Sequence, residues 1–328
     1  MLLDTESITR STRGDMNPST LSPTPHALQR TAPWAVTWLT WPLLFALNLL
    51  LIAGALSRDW ALPLVLGALT AFQVLTLVSL ELLYPLDPRW RMTWRSFVGR
   101  DLKYFAAGGV TGAAINYGVA WLGLELDTPH RGPLAAAPVW LSVPVAILAF
   151  EGCQYWQHRW SHEANSALKR FLWKTHAAHH LPEQVYVLMH PAAHPLNFVL
   201  VQGLIRLPLF YCLGLSPQAL FAVSAVIGLQ GVISHCNVDL RAGWLNYVFV
   251  GTELHRVHHS ARSAEAQNFA VVCSLVDVVF GTFVYRPGQH PERLGMEDPA
   301  AYPRSDQFWR VLALPFAQHD RGAAGRLR

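Results

Sequence analysis

Charge is scarce in this chain. Asp, Glu, Lys and Arg make up 14% of the 328 residues, hydrophobic residues make up 52%, and a typical soluble domain is about one quarter charged. That balance excludes an ordinary cytosolic globule and predicts a membrane protein. Cysteine is also sparse: Cys153, Cys212, Cys236 and Cys273 form no C-x-x-C pair, which excludes a thiolate zinc site and leaves no disulfide framework. No signal-peptide pattern is visible at the start. The calculated pI of 9.0 rests on a few loops, so the basicity is assigned to topology and lipid headgroups and no nucleic-acid partner is expected.

What the sequence does have is long uncharged runs. Trp34 to Leu56, Trp60 to Ser79, Phe105 to Leu124 and Gly132 to Phe150 each approach or exceed the ~20 residues that a helix needs to cross a bilayer. Pro195 to Ser234 carries one charge, Arg206, and is divided by "GLSP" at Gly214 to Pro217, which suits a helical hairpin. The fold class expected is therefore all-α: about four full spans, a membrane hairpin near 195–234, and a cytoplasmic helical cap rich in histidine. Arg206 inside the hairpin is expected to snorkel to an interface or to face the substrate or a lipid phosphate.

Lys and Arg counts set the orientation. The loop "DPRWRMTWRSFVGRDLK" holds five, while the turns near Arg58 and Arg131 hold one each. Both termini and every histidine cluster are thereby placed on the cytoplasmic side. The excess of Arg over Lys, with only three lysines, points to a bacterial inner membrane. The expected divisions are a disordered tail over 1–31 containing "NPSTLSPTP", transmembrane helices over 32–150, a catalytic region over 151–286, and a cytoplasmic tail over 287–328. Translation could begin at Met1 or Met16.

Histidine is the abundant functional residue. "YWQHRWSH" places His158 and His162 four apart, on one helix face. "KTHAAHH" holds His176, His179 and His180, and "ELHRVHH" repeats the pattern with His255, His258 and His259. Imidazole suits iron, zinc, copper or nickel, and eight imidazoles exceed what one ion can hold. Two ions in a cage of helix faces is the economical solution. A zinc transporter with histidine loading sites is the alternative; an intramembrane protease is excluded because "HEANS" supplies only half of H-E-x-x-H.

The ordered set resembles the fatty acid hydroxylase superfamily, also called the sterol desaturase family, over roughly residues 150–285. The motifs that carry the resemblance are "YWQHRWSH", "HAAHH", "HP" at His194, "HCN" at His235, "HRVHH" and "VDVVFGT". Departures are Glu151 where the family often has aspartate, Asn197 after "HPL", "NFA" at Asn268 to Ala270, and Val276. The resemblance implies an integral-membrane monooxygenase with two non-haem irons, which hydroxylates or desaturates a C–H bond of a lipid using O2. Electrons would come from a separate protein of ferredoxin or cytochrome type. It implies His158, His162, His176, His179, His180, His235, His255, His258 and His259 as ligands, with His194 as a ligand or the neighbour of one. Glu151, Asn237, Asp239, Asn268 and Asp277 are candidates to orient the imidazoles. His190 matches no family position and is expected to be structural; His26, His130, His290 and His319 are expected at the surface.

Overall fold

The computed structural model describes residues 31–126 and 131–317. The tail expected over 1–31 lies outside them but for its last residue, as do His26, His130, His319 and the end of the tail expected over 287–328. Among the described residues there are only helices, turns and one isolated bridge, Ser260 to Leu294.

Among the described residues, four helices are long and apolar enough to cross a membrane: α1 (Trp34–Ser57), α2 (Leu62–Leu83), α6 (Pro195–Leu213) and α7 (Pro217–Ser234). The last two are the arms of the predicted hairpin. They turn at Gly214, whose φ of +72° is a left-handed conformation that glycine alone adopts without cost. Backbone from the segment before the fourth expected span packs on that turn: Leu134 N–H donates to Leu213 O (2.9 Å), and a Cβ on Gly132 would stand 2.5 Å from Gly214 N. Pro133 and Pro138 keep this segment irregular, so the span expected from Gly132 becomes helical only at α4 (Val139–Ser161). The third expected span lies within α3 (Leu102–Leu126), entered through a π-helical turn at Phe97–Asp101.

Helix α7 is the hub. Its Leu229 and Ile233 pack with Trp41 and Leu44 of α1 and Leu77 of α2; Phe221, Ala222 and Ala225 pack on Ile52, Ala55 and Leu69. On its other side Ala219 and Val223 meet Ala146 and Phe150 of α4 and Phe210 of α6. Arg206 is half-buried. Its guanidinium donates to Gln202 Oε1 (3.1 Å) and across the hairpin to Ser224 Oγ (2.9 Å), clamping α6 to α7.

Beyond the apolar helices, α5 (Ala167–His180), α8 (Thr252–His258) and α9 (Leu275–Phe280) form the histidine-bearing cap. Residues 287–317 are part of this body: Met296, and Phe308 and Val311 of α10 (Phe308–Ala313), pack on Tyr104, Trp173 and Ala177.

Candidate metal centre

Helix α4 continues past its apolar stretch and carries His158 in its last turn, with His162 as the residue that caps it. Ser166 accepts the Lys169 N–H (3.2 Å) to start α5, which ends on His176, His179 and His180. Helix α8 supplies His255, His258 and His259, and His235 follows the last residue of α7. Four separate stretches of chain thus converge.

The histidines sort into two groups, each with its ring nitrogens within 4.8 Å of one another: His158, His162, His176, His180 and His258 in the first, and His179, His235, His255 and His259 in the second. Each H-x-x-H-H motif is divided. Its outer i, i+4 pair goes to one group and its middle histidine to the other, and the two motifs are divided in opposite senses. The groups touch through stacked rings of His180 and His259, 4.5 Å apart.

The hydrogen bonds decide what these rings can do. His179 Nδ1 donates to Ala192 O (3.3 Å) and His235 Nδ1 to Gly231 O (2.9 Å), so in the neutral rings both Nε2 atoms carry a lone pair and no hydrogen. Yet these Nε2 atoms lie 3.0 Å apart. In the first group His158 Nδ1 donates to Phe269 O (2.6 Å), and its Nε2 lies 3.0 Å from His176 Nε2, which in turn lies 3.0 Å from His180 Nε2. Two facing lone pairs repel unless a cation lies between them. Two nitrogens about 2.1 Å from one ion and at right angles stand about 3.0 Å apart, so the spacing is that of a shared ligand sphere. His162 Nε2 and His258 Nε2 are buried without a protein partner, as ligand atoms awaiting an ion would be. Both groups could hold a metal ion.

Burial keeps the rings neutral, the form that binds metal. Desolvation, reinforced by neighbouring imidazoles, lowers His179 to about 3 and pushes His176, His180, His255, His258 and His259 well below 6.5. In the metal-free protein the unfolded chain therefore takes up protons below pH 6.5 while the folded chain resists them. Stability is expected to fall as pH drops from about 6.5 toward 4, because the unfolded chain's histidines take up protons that the folded chain's do not. Melting temperatures of metal-stripped protein across this range check it; a flat profile would contradict the neutral cage.

The residues expected to orient the imidazoles act one step further out. Imidazole Nδ1 atoms donate to backbone carbonyls, those above and Gln267 O for His258 (3.0 Å). Carboxylates hold the loop that presents two of these carbonyls. Asp277 accepts the N–H groups of Phe269 (2.8 Å) and Ala270 (3.0 Å), and desolvation raises its carboxyl to about 6. Glu151 accepts those of Val271, Val272 and Cys273. Asn268, at φ +62°, donates to Leu254 O and Val284 O. Asn237 donates to Asp87 O (2.9 Å) and fixes the loop after His235, whereas Asp239 pairs with Arg241 at the periphery.

His194 joins neither group: Nδ1 accepts the Leu196 N–H (3.0 Å) and Nε2 donates to Leu312 O (3.1 Å). His190 packs on His235 with ring centroids 4.8 Å apart, in a notch where a Cβ on Gly231 would stand 2.7 Å from its ring. Two contributors were invisible in the sequence. Glu81 of α2 accepts the N–H groups of Val187 (2.9 Å) and Asn237 (2.7 Å), tying two cap loops to a membrane helix. A cavity of about 1190 Å³ reaches His162 and His180 from outside and is lined by Arg159, Glu163, Glu297 and Asp298 among others.

Residues 143–282, which contain every histidine of both groups, match the fatty acid hydroxylase family. Over 194 residues the chain is 30% identical to the ornithine lipid hydroxylase OlsE of Rhizobium tropici, covering 59% of this chain and 54% of that protein. Over 162 residues it is 23% identical to the CER1-like 2 protein of Arabidopsis thaliana, covering 44% and 25% respectively. The chain thus spans about half the length of the first relative and a quarter of the second. No solved structure matches it.

Proposed function

Because the chain belongs to the fatty acid hydroxylase superfamily, we propose that it is an integral-membrane monooxygenase that inserts one oxygen atom of O2 into a C–H bond of a lipid, with an amino-acid-bearing lipid as substrate. The observation that carries this is the facing of the His179 and His235 Nε2 atoms, both without hydrogen, at 3.0 Å within one of two adjacent histidine groups, an arrangement that calls for a cation. All-imidazole ligation without thiolate suits non-haem iron, and iron supplies O2 activation when bound.

The protein's own part is positional. His158, His162, His176, His180 and His258 would hold one ion, and His179, His235, His255 and His259 the other. The Nδ1–H bonds of His158, His179, His235 and His258 to backbone carbonyls fix the orientation of those four rings and keep their Nε2 atoms free for a metal. Burial of the cage excludes bulk water from the reacting carbon. The zinc-loading alternative needs exposed, mobile ligands, and these are buried on helices packed into the body.

Electrons are proposed to come from a separate one-electron carrier protein, with the cage and both termini on the cytoplasmic face of a bacterial inner membrane. A reporter fused after Lys103 is expected to be active in the cytoplasm and one at Asp127 silent; the reverse pattern would place the cage outside. The central test is metal analysis of purified protein together with mass spectrometry of lipid extracts with and without the gene. Two irons per chain and a lipid that gains one oxygen only when the gene and O2 are present are expected. Zinc alone, with an unchanged lipid profile, would overturn the proposal.

A further inference from the structure

Tyr155 of α4 is fully buried three residues before His158, and its phenol belongs to a directed chain of hydroxyls. Thr282 Oγ1 donates its one hydrogen to Asp277 Oδ1 (2.7 Å), and an ionised carboxylate can only accept. Across the 2.9 Å between Tyr155 Oη and Thr282 Oγ1 the phenol must therefore be the donor. Arg159 Nη1 donates to the same Tyr155 Oη (3.1 Å). The chain runs one way, from phenol to hydroxyl to carboxylate, and all three side chains are buried. Desolvation raises Asp277 to about 6, so at neutral pH it is ionised and close to taking a proton.

The same ring lies between the first histidine group and the surface. On one side it meets Phe269 at a centroid distance of 6.3 Å, and Phe269 packs on His162 (5.4 Å), His258 (5.9 Å) and His158 (6.0 Å). On the other it meets Trp156 (5.5 Å), which meets Trp160 (6.1 Å), and both indoles are exposed. A tyrosine held for packing alone needs one hydrogen-bond partner. Here the partner leads to a base and the ring leads to the surface. A buried phenol beside a guanidinium holds positive charge only at high cost, so an electron leaves it only when the proton leaves too. Thr282 and Asp277 supply that exit. A phenol yields an electron only to a strong oxidant, so this route does not serve the carrier that brings reducing electrons.

We propose that Tyr155 is a one-electron donor that discharges the metal site when O2 has been activated and no lipid is bound, which protects the histidine cage from its own oxidant. This rests on the hydroxylase function proposed above; when bound, iron with O2 or peroxide supplies the oxidant. Tyr155 gives one electron through Phe269 to the metal held by the first group. Its O–H bond breaks as a new O–H bond forms on Thr282 Oγ1, and the Thr282 proton passes to Asp277 Oδ1. The products are a neutral tyrosyl radical, a protonated Asp277 and a metal site reduced by one electron. Trp160 and Trp156 return an electron from a soluble thiolate, RS−, which becomes RS•. The Asp277 proton then travels back along the chain and restores the phenol.

The test uses the full-length iron-loaded protein in detergent, mixed with hydrogen peroxide in the absence of lipid substrate and freeze-quenched. An electron paramagnetic resonance signal of a neutral tyrosyl radical is expected, and ring-deuterated tyrosine should narrow it. Tyr155→Phe should lose the signal and be inactivated by peroxide faster than the parent. Thr282→Val keeps the phenol and nearly the same volume but removes the proton acceptor; it should give about tenfold less radical at equal iron content. Trp156→Phe should lengthen the lifetime of the radical in the presence of glutathione. A signal that survives in Tyr155→Phe, or equal radical yield in the parent and Thr282→Val, would overturn the proposal. Lipid oxygenation by a protein that forms no tyrosyl radical would overturn it and leave the hydroxylase standing. A radical that depends on Tyr155 and Thr282, without oxygenation of any lipid, would support the discharge route and overturn the hydroxylase.

Discussion

Inserting one alanine between His176 and His179 is expected to leave a folded, membrane-inserted protein that binds fewer than two metal ions and has no hydroxylase activity. The insertion turns His179 and His180 by about 100° and shifts them by about 1.5 Å relative to His176. Both groups are damaged at once, because His176 and His180 serve the first and His179 serves the second. The membrane helices should be unaffected, since α5 lies beyond them and composition and hydropathy barely change. Iron content per chain, helicity by circular dichroism and product formation are the measurements. His290→Ala is the control, because His290 is exposed, lies outside both groups and touches Trp90 (5.9 Å); it should keep both irons and turnover. Full iron occupancy and normal product in the insertion variant would show that helical phase does not matter and would remove the cage.

Glu151→Ala is expected to be the most destabilising single substitution near the site. Its carboxylate accepts three backbone N–H groups, from Val271 (2.8 Å), Val272 (2.7 Å) and Cys273 (2.8 Å), and is fully buried. Alanine leaves all three donors without an acceptor, at about 1–3 kcal/mol each. The same loop presents Phe269 O to His158 Nδ1, so iron bound by the first group should weaken along with the fold. Glu151→Asp keeps the charge but shortens the reach by one methylene and should fall between the two. Thermal melts in detergent and iron content read this out. A Glu151→Ala melting temperature within about a degree of the parent would mean that the three donors find other partners, since a loss of 1 kcal/mol alone moves a melt by roughly 2–4 °C in a chain of this size.

The legible part of the molecule was what local sequence encodes. Uncharged runs announced α1, α2 and the hairpin arms because a helix that meets lipid must be apolar all round, whatever it packs on. "GLSP" announced the reversal because Gly214 must adopt a left-handed backbone there. The histidine motifs announced clusters of imidazole because residues three and four apart share a helix face in any context.

Other features depended on residues distant in the chain. Arg206 read as a charge at an interface or a cavity; its partner Ser224 stands on the other arm of the hairpin, and only the packing of α6 on α7 brings them together. The tail expected after residue 286 carries enough apolar side chains, Phe308 and Val311 among them, to bury against α5, a partnership that periodicity in so short a helix does not reveal.

By itself, then, the sequence determined that this is a helical membrane protein with histidines at ligand spacing in two H-x-x-H-H motifs, because hydropathy and helical spacing are properties of neighbouring residues. Only the tertiary structure decided how the ligands are shared. On an isolated helix His176 lies near both His179 and His180; in the folded chain His158, His162 and His258 gather around His176 and His180, while His235, His255 and His259 gather around His179. The structure also decided which ring nitrogen is left without a hydrogen. That choice follows from backbone carbonyls, such as Phe269 O on His158, which lie far away in the chain and carry no side-chain signature that a sequence could display.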